Sequence, residues 1–363
     1  MTRRANKWPF AILILTLVLV YHAPSFADSR QEYTFSHQKT VLLPPGSLIS
    51  VQNTRGDIHI QGGDREQTVI KFIKRVKTRS RDEAEEWAQK MSVVFDEREK
   101  GLFIETKMPR EWSESLGSFL TRLFEKKPSV RVDFDILAPG GLVVKTASVS
   151  GDIYIVAMEK DVTVEIVSGE VEIEEIGGNV SIDAVSGDMM IQNVKGNLEI
   201  DAVSGDAEIL NIGGDVNVDV TSGDVIGKRI KGKFAVDGTS SDVIITDVSG
   251  DVSVDVTSGD ITVRQKAGDL WIDTSSGDVS VETVVEKNGR YRVDTSSGQI
   301  TFRIPETSSC TVEMETSGGR IHAKLPMIVE SVSRTRLRGT IGAGEAQITL
   351  STSGGDIDLL PSD

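Results

Sequence analysis

Carboxylates are the side chains whose number and spacing could do chemistry in this 363-residue chain. Asp152, Glu170, Asp188, Asp206, Asp224, Asp242, Asp260 and Asp278 recur at a constant step of 18 residues, each behind Ser-Gly or, once, Ser-Ser. A second series, Glu165, Asp183, Asp201, Asp219, Asp237, Asp255 and Asp273, keeps the same step. If equivalent residues stack, each series becomes a column, and like charges one strand apart repel by about 1 kcal/mol per neighbour in water. Something must offset that repulsion. Each Asp can accept hydrogen bonds from turn N–H groups, as Asx turns do. Calcium between rungs at Asp188, Asp206, Asp224, Asp242, Asp260 and Asp278 is the sharper alternative. Known calcium rolls carry Gly-Gly-x-Gly-x-Asp, whereas here a single turn glycine precedes most of the acids.

Other reactive types are sparse. His37, His59 and His322 are widely separated, and Cys310 is the sole cysteine, so no His/Cys cluster suggests a metal centre. Cys310 reads as a small buried thiol, with pairing between chains as the alternative, and it excludes an internal disulfide. Ser36 and Lys39 have Ser-x-x-Lys spacing without companion motifs in a strand-like stretch. Arg55-Gly56-Asp57 spells a tripeptide that adhesion receptors read, yet a turn explains its Gly and Asp equally well. Polysaccharide-cleaving β-helices use acids on an outer groove, but uniformly repeated acids suit structure better than a unique active site.

The element that must position these acids is an 18-residue unit, S-G-D-V-x-I-x-x-V-x-G-x-V-x-I-D-x-x, with serines at Ser150, Ser168, Ser186, Ser204, Ser222, Ser240, Ser258 and Ser276. Counting that serine as position 1, apolar residues hold positions 4, 6, 9, 13 and 15 in most copies. Alternation at 4 and 6, and again at 13 and 15, is the period of a half-buried strand. Glycines near positions 2 and 11 supply two unlike corners. A meander has no reason to keep one period through eight copies, whereas a solenoid does, because its core is built by stacking equivalent residues. The expected fold is all-β: a right-handed parallel β-helix, preferred over a flat two-sheet roll. At about 4.8 Å per coil its regular part is a rod on the order of 40 Å long.

Around the repeat, the chain divides into residues 1–27, 28–145 and 146–363. Arg3, Arg4 and Lys7, an apolar run from Trp8 to Tyr21 and Ser25-Phe26-Ala27 describe a secretory signal peptide rather than a spanning helix. Its removal takes the formal charge from −15 to −18, so nucleic acid is not expected as a partner. No transmembrane span follows, and the expected location is the periplasm, the cell surface or the medium.

Residues 28–77 read as strands, and Asn53–Ile60 as an early copy of the unit. Ser80 and Glu83 open a helix that packs on a hairpin, forming a small α+β cap. In 111–126, Trp112, Leu116, Phe119, Leu120, Leu123 and Phe124 make an amphipathic stripe. It is expected to cover an end of the coil, with docking to a partner or membrane surface through Trp112, Phe119, Leu123 and Phe124 as the alternative. Trp271, flanked at equivalent positions by Ser253 and Arg292, offers a ring that could stack on a sugar. Beyond Ser276 the period slips at Lys287-Asn288-Gly289, and the motif returns at Ser297, Ser317 and Ser353. Arg334, Arg336 and Arg338 alternate along an expected strand, as a solvated edge or as partners for the acids of another copy.

The T/V-S-G-D-[VI] copies, the leading strand–helix–hairpin segment and Gly342-Ala343-Gly344-Glu345-Ala346-Gln347-Ile348-Thr349-Leu350 resemble the bacterial "putative adhesin" β-strand-repeat family, a domain of unknown function, over about residues 45–360. That resemblance implies an exported β-helix and brings no catalytic residues. The expected function is a non-enzymatic, adhesin-like binding protein whose partner is a cell-envelope protein or glycan. No cofactor is expected beyond the calcium alternative. A self-assembling envelope scaffold and a carbohydrate-active enzyme are the competing readings.

Overall fold

The computed structural model describes residues 30–109 and 128–362, so the signal-like segment and the stretch holding Trp112, Phe119, Leu123 and Phe124 lie outside the described residues. The chain is a β-solenoid built from two long sheets of 15 and 16 strands. Each regular coil gives one strand to each sheet. Val162–Ser168 pairs in parallel with Val180–Ser186 in the 16-stranded sheet, and Val171–Ile176 pairs with Met189–Val194 in the 15-stranded sheet. Partners are 18 residues apart, which is why the sequence repeats at that step. The parallel solenoid expected from the repeat is present, but its coil has two faces, as in the two-sheet arrangement that the sequence ranked second.

Inward residues stack as the spacing predicts. Ile155, Ile173, Ile191 and Ile209 make one wholly buried column, and Val164, Ile182, Ile200 and Val218 face it from the other sheet. Full burial of each such side chain contributes roughly 1.5–3 kcal/mol. The alternation also runs one step further than the consensus shows: Ile166, Ala184, Ala202, Val220 and Val256 at position 17 are buried too.

The shift in apolar phase between positions 6 and 9 has a backbone cause. Ala157, Glu175, Asn193, Asn211, Arg229 and Asp247, all at position 8, lie in the left-handed region with φ of 57–63°. One residue of each strand is thereby skipped in the ladder: Glu174 pairs with Gln192 and Ile176 with Val194. The turn points position 9 back into the core. At the Ser-Gly-Asp corner, Gly205 has φ +126°, and a Cβ there would stand 2.1 Å from the carbonyl oxygen of Gly187 one coil earlier. Coils stack so closely at this corner that glycine is required.

One coil departs from the pattern and compensates within itself. Gly227 stands where its neighbours carry Ile209 and Ile245, and a Cβ on it would meet the Phe234 ring at 2.3 Å. Phe234 replaces the usual Val or Leu of position 13 and fills the missing volume.

The N-terminal residues extend both sheets. Leu48–Asn53 and Gly101–Lys107 continue the 16-stranded sheet in parallel, and Ile58–Gln61 and Ser129–Leu137 continue the other. Antiparallel strands finish that end: Gln31–Val41 on Thr68–Thr78, and Ser92–Arg98 on Gly101–Lys107. The helix Arg81–Lys90 is capped by Ser80, whose side chain accepts from Glu83 N–H, and it buries Ala84 and Ala88. Lys74 closes its C-terminal end, donating to the carbonyls of Ala88 and Met91 at 2.9 and 2.7 Å.

At the other end, chain order and spatial order part. Ala346–Thr352 lies between Arg290–Ser297 and Cys310–Thr316, and Ile357–Pro361 lies between Ile300–Ile304 and Ile321–Ala323. The last copy of the motif is thus wedged into the stack, and the hairpin Ile328–Val332/Arg336–Ile341 ends the 16-stranded sheet.

Candidate functional site

The Ser-Gly-Asp acids form a ladder of hydrogen bonds. Oδ1 of Asp188 accepts from Asp206 N–H at 3.1 Å, Asp206 from Asp224 at 2.9 Å, Asp224 from Asp242 at 3.2 Å, and Asp242 from Asp260 at 2.8 Å. Asp260 and Asp278 continue it to the N–H groups of Asp278 and Gln299, both at 2.8 Å. Each carboxylate satisfies the N–H of the coil that follows it rather than that of its own turn. The early copy belongs to the same ladder: Asp57 accepts from Asp152 N–H at 3.1 Å, and Gly56 is buried against Val132. The Gly and Asp of Arg55-Gly56-Asp57 therefore serve the corner. Among the described residues no three His, Cys, Asp or Glu side chains are grouped so that they could hold a metal ion.

A second ladder, absent from the sequence reading, closes the opposite corner at position 12. Asp161 accepts from Asn179 N–H at 2.8 Å, Asn179 from Asn197 at 2.9 Å, Asn197 from Asp215 at 3.0 Å, and Asp215 from Lys233 at 2.9 Å. The signal was present as Asp or Asn three residues after the last apolar position of each run, but the mixture of Asp, Asn and Lys hid it from a strict consensus. Asparagine does here what aspartate does at the other corner, so the bond needs an oxygen acceptor and not a charge.

The remaining acids face outward on the 16-stranded sheet. Glu165, Asp183, Asp201 and Asp219 are in register on successive strands. Partial desolvation, then the charges of Asp183 and Asp219, push the Asp201 carboxyl above the ordinary range, and Asp255 rises likewise between Asp237 and Asp273. Two residues on, Val149, Val167, Val185 and Val203 make an apolar column 46–53% exposed. Between the valines and the acids runs a groove of 520 Å³ that extends past Thr54 to Glu105 and Thr106. Strand Gly101–Lys107 ends level with the valines, and residues 110–127 follow it in the chain.

Further along the same sheet, Trp271 interrupts a column otherwise made of small or polar residues. Its ladder neighbours are Ser253 and Arg292, as the spacing predicted. Beside it lies a slot of 430 Å³ lined by Ala235 and Ser253 and rimmed by Lys233, Asp251, Asp269, Arg290 and Arg292.

The arginine group is divided by the fold. The strand begins at Arg336, so Arg334 sits in the hairpin turn and not beside the other two. Arg336 pairs with Glu313, and Arg338 with Glu330 at 3.1 Å, so both are neutralised within the chain.

The catalytic alternatives are not assembled. Ser36 and Lys39 are three apart on a strand and so project to opposite faces, and Lys39 pairs with Glu97 at 2.8 Å. His37 stacks on Phe72, and His59 meets Tyr154 edge-on, in separate places. Cys310 is wholly buried, and burial raises its pKa to about 11. No helix among the described residues is long and apolar enough to cross a membrane.

No curated protein matches the chain. Similar solved structures include a "putative cell adhesion protein" from Clostridium sporogenes at 12% identity, over 90% of this chain and 100% of that one, TM-score 0.21. A "putative adhesin" from Parabacteroides merdae aligns at 10% identity, over 90% and 96%, TM-score 0.32. A "putative lipid binding protein" from Parabacteroides distasonis aligns at 12%, over 90% and 97%, TM-score 0.29. At these scores the likeness carries no argument about what this chain binds. Residues 210–360, less than half of the chain, match the family model described as Toastrack DUF4097.

Proposed function

We propose that the chain is an exported, non-enzymatic, adhesin-like binding protein of the bacterial cell envelope, acting in the periplasm or at the cell surface. The observation that carries this reading is the outer face of the 16-stranded sheet. Four aligned valines stand exposed there, and three of them, Val149, Val167 and Val185, line a groove, on a sheet whose other side is the protein core. Contiguous exposed apolar surface of this kind marks interaction sites. The signal-like N-terminus supports export, and the acids support structure: their side chains serve the corners or stand in uniform rows. Calcium between the rungs is not part of the proposal.

The test is retention in cell-envelope fractions. Val167→Lys with Val185→Lys changes two exposed side chains and leaves the core intact. The double variant should fold and be released from the envelope fraction that holds the wild type. Equal retention of both proteins refutes this surface as the contact. A second reading, end-to-end assembly into a scaffold, is favoured by one observation: the edge strand Ile328–Val332 exposes Ile328, Val329 and Val332. Filaments or concentration-dependent oligomers of the purified chain would support it instead.

A further inference from the structure

We infer that the slot beside Trp271 is a binding site for a neutral pyranose unit of a glycan. The inference goes beyond the envelope-binding reading by naming a ligand class and a second place on the sheet. It rests on that reading only for where the chain would meet a glycan.

Trp271 is where the repeat is broken without a structural reason. The column it occupies points away from the core, and the two preceding coils place Ala235 and Ser253 there. A regular coil needs no aromatic at this position. The tryptophan is 37% exposed, and the small residues before it leave an open trough two coils long, about 10 Å at the spacing of neighbouring strands. That is the length of one to two sugar rings. An indole beside a shallow trough offers the apolar C–H face of a pyranose a flat, polarizable surface.

The rim supplies partners for hydroxyl groups. Arg292 is held by Asp294, Arg290 by Asp269 at 3.4 Å, and Lys233 by Asp251 at 3.8 Å. A guanidinium has five N–H donors and a carboxylate about four acceptor sites, so each pair fixes its members and still leaves donors and acceptors side by side. Vicinal hydroxyls, which donate and accept at once, match such a rim. The rim also favours a neutral sugar over a charged one. Its three cations, Lys233, Arg290 and Arg292, are already paired with Asp251, Asp269 and Asp294. A uronate or sulfated unit would have to displace one of those carboxylates, whereas a neutral hydroxyl can share them.

The experiment is a titration of the purified full chain with chitohexaose and cellohexaose as neutral probes and oligogalacturonate as the acidic one. Binding is read by calorimetry and by the 15N–1H indole signals, with the Trp271 signal assigned by its loss in a variant. Trp271→Ser restores the residue of the preceding coil, so it should fold like the wild type, and the melting curve checks this. The expected result is saturable binding of a neutral probe that shifts the Trp271 signal. Trp271→Ser should weaken it about tenfold or more, corresponding to the loss of roughly 1.4 kcal/mol, and Trp271→Phe should weaken it less. No saturable binding of either neutral probe overturns the inference, as does equal affinity of Trp271→Ser or a preference for oligogalacturonate. Envelope retention without sugar binding sinks this inference alone. Sugar binding without envelope retention sinks only the proposed location.

Discussion

Replacing Asp206 separates the two forces that act along the corner ladder. Asp206 repels Asp188 and Asp224, one strand away on either side, by about 1 kcal/mol each in water. It also accepts the Asp224 N–H at 2.9 Å, a bond with a net value of about 1 kcal/mol. Asp206→Asn removes the repulsion and keeps the oxygen acceptor. Asp206→Ala removes both. The two variants share the same loss of charge, so their difference isolates the hydrogen bond, and Asn should be the more stable by about 1 kcal/mol. Asn179 and Asn197 already accept the equivalent bond at the other corner, at 2.9 and 3.0 Å. The assay is urea unfolding at low and high salt, followed by circular dichroism. Relative to wild type, Asp206→Asn should gain stability at low salt, and that gain should shrink at high salt as screening removes the repulsion. Equal stability of the Asn and Ala variants would refute the ladder as a stabilising device. Calcium raising the wild-type melting temperature but neither variant's would show instead that the column is a metal site.

Three further outcomes follow from the same geometry. Phe234→Val should cost about 2–4 kcal/mol, because it opens a cavity over Gly227, and Gly227→Ile alone should be worse through its clash with the ring; the double change restores the repeat's own pair, and unfolding experiments should show it close to wild type. Asp201 has a raised carboxyl pKa in the folded chain, so its ionisation opposes folding at neutral pH and the penalty is relieved as pH falls through that raised value. Asp201→Asn should therefore stabilise at pH 7, with an advantage that fades as the pH enters the carboxylate range; a constant advantage across pH would contradict this. Cys310, with its pKa raised to about 11, should resist a thiol reagent at pH 8 in the native chain and react fully in denaturant.

The period alone determined much of this protein. A step of 18 residues with apolar alternation can be satisfied only by stacking like on like, because each coil must bury its face against its neighbours. Two corners, the rows of acids and the core columns were legible for that reason, as was the early copy at Arg55-Gly56-Asp57. The phase change between positions 6 and 9 was also visible, but not its cause: a left-handed residue at position 8 that is Ala, Glu, Asn, Arg or Asp by turns leaves no consensus letter.

What the tertiary structure decided lies where residues far apart in the chain meet. The acids' oxygen atoms proved to serve the next coil's N–H groups, because stacking brings 18-residue neighbours closer than the turn brings its own. Gly227 made sense only once Phe234 was seen to fill the space it leaves. Most of all, the copy at Ser353 is two periods past Ser317, yet its strands lie between coils that precede it in the chain. Strand pairing is set by backbone hydrogen bonds and the fit of side-chain columns, both blind to chain order. A repeat can announce how many coils there are, but which coil lies next to which at a broken end is settled only by the fold.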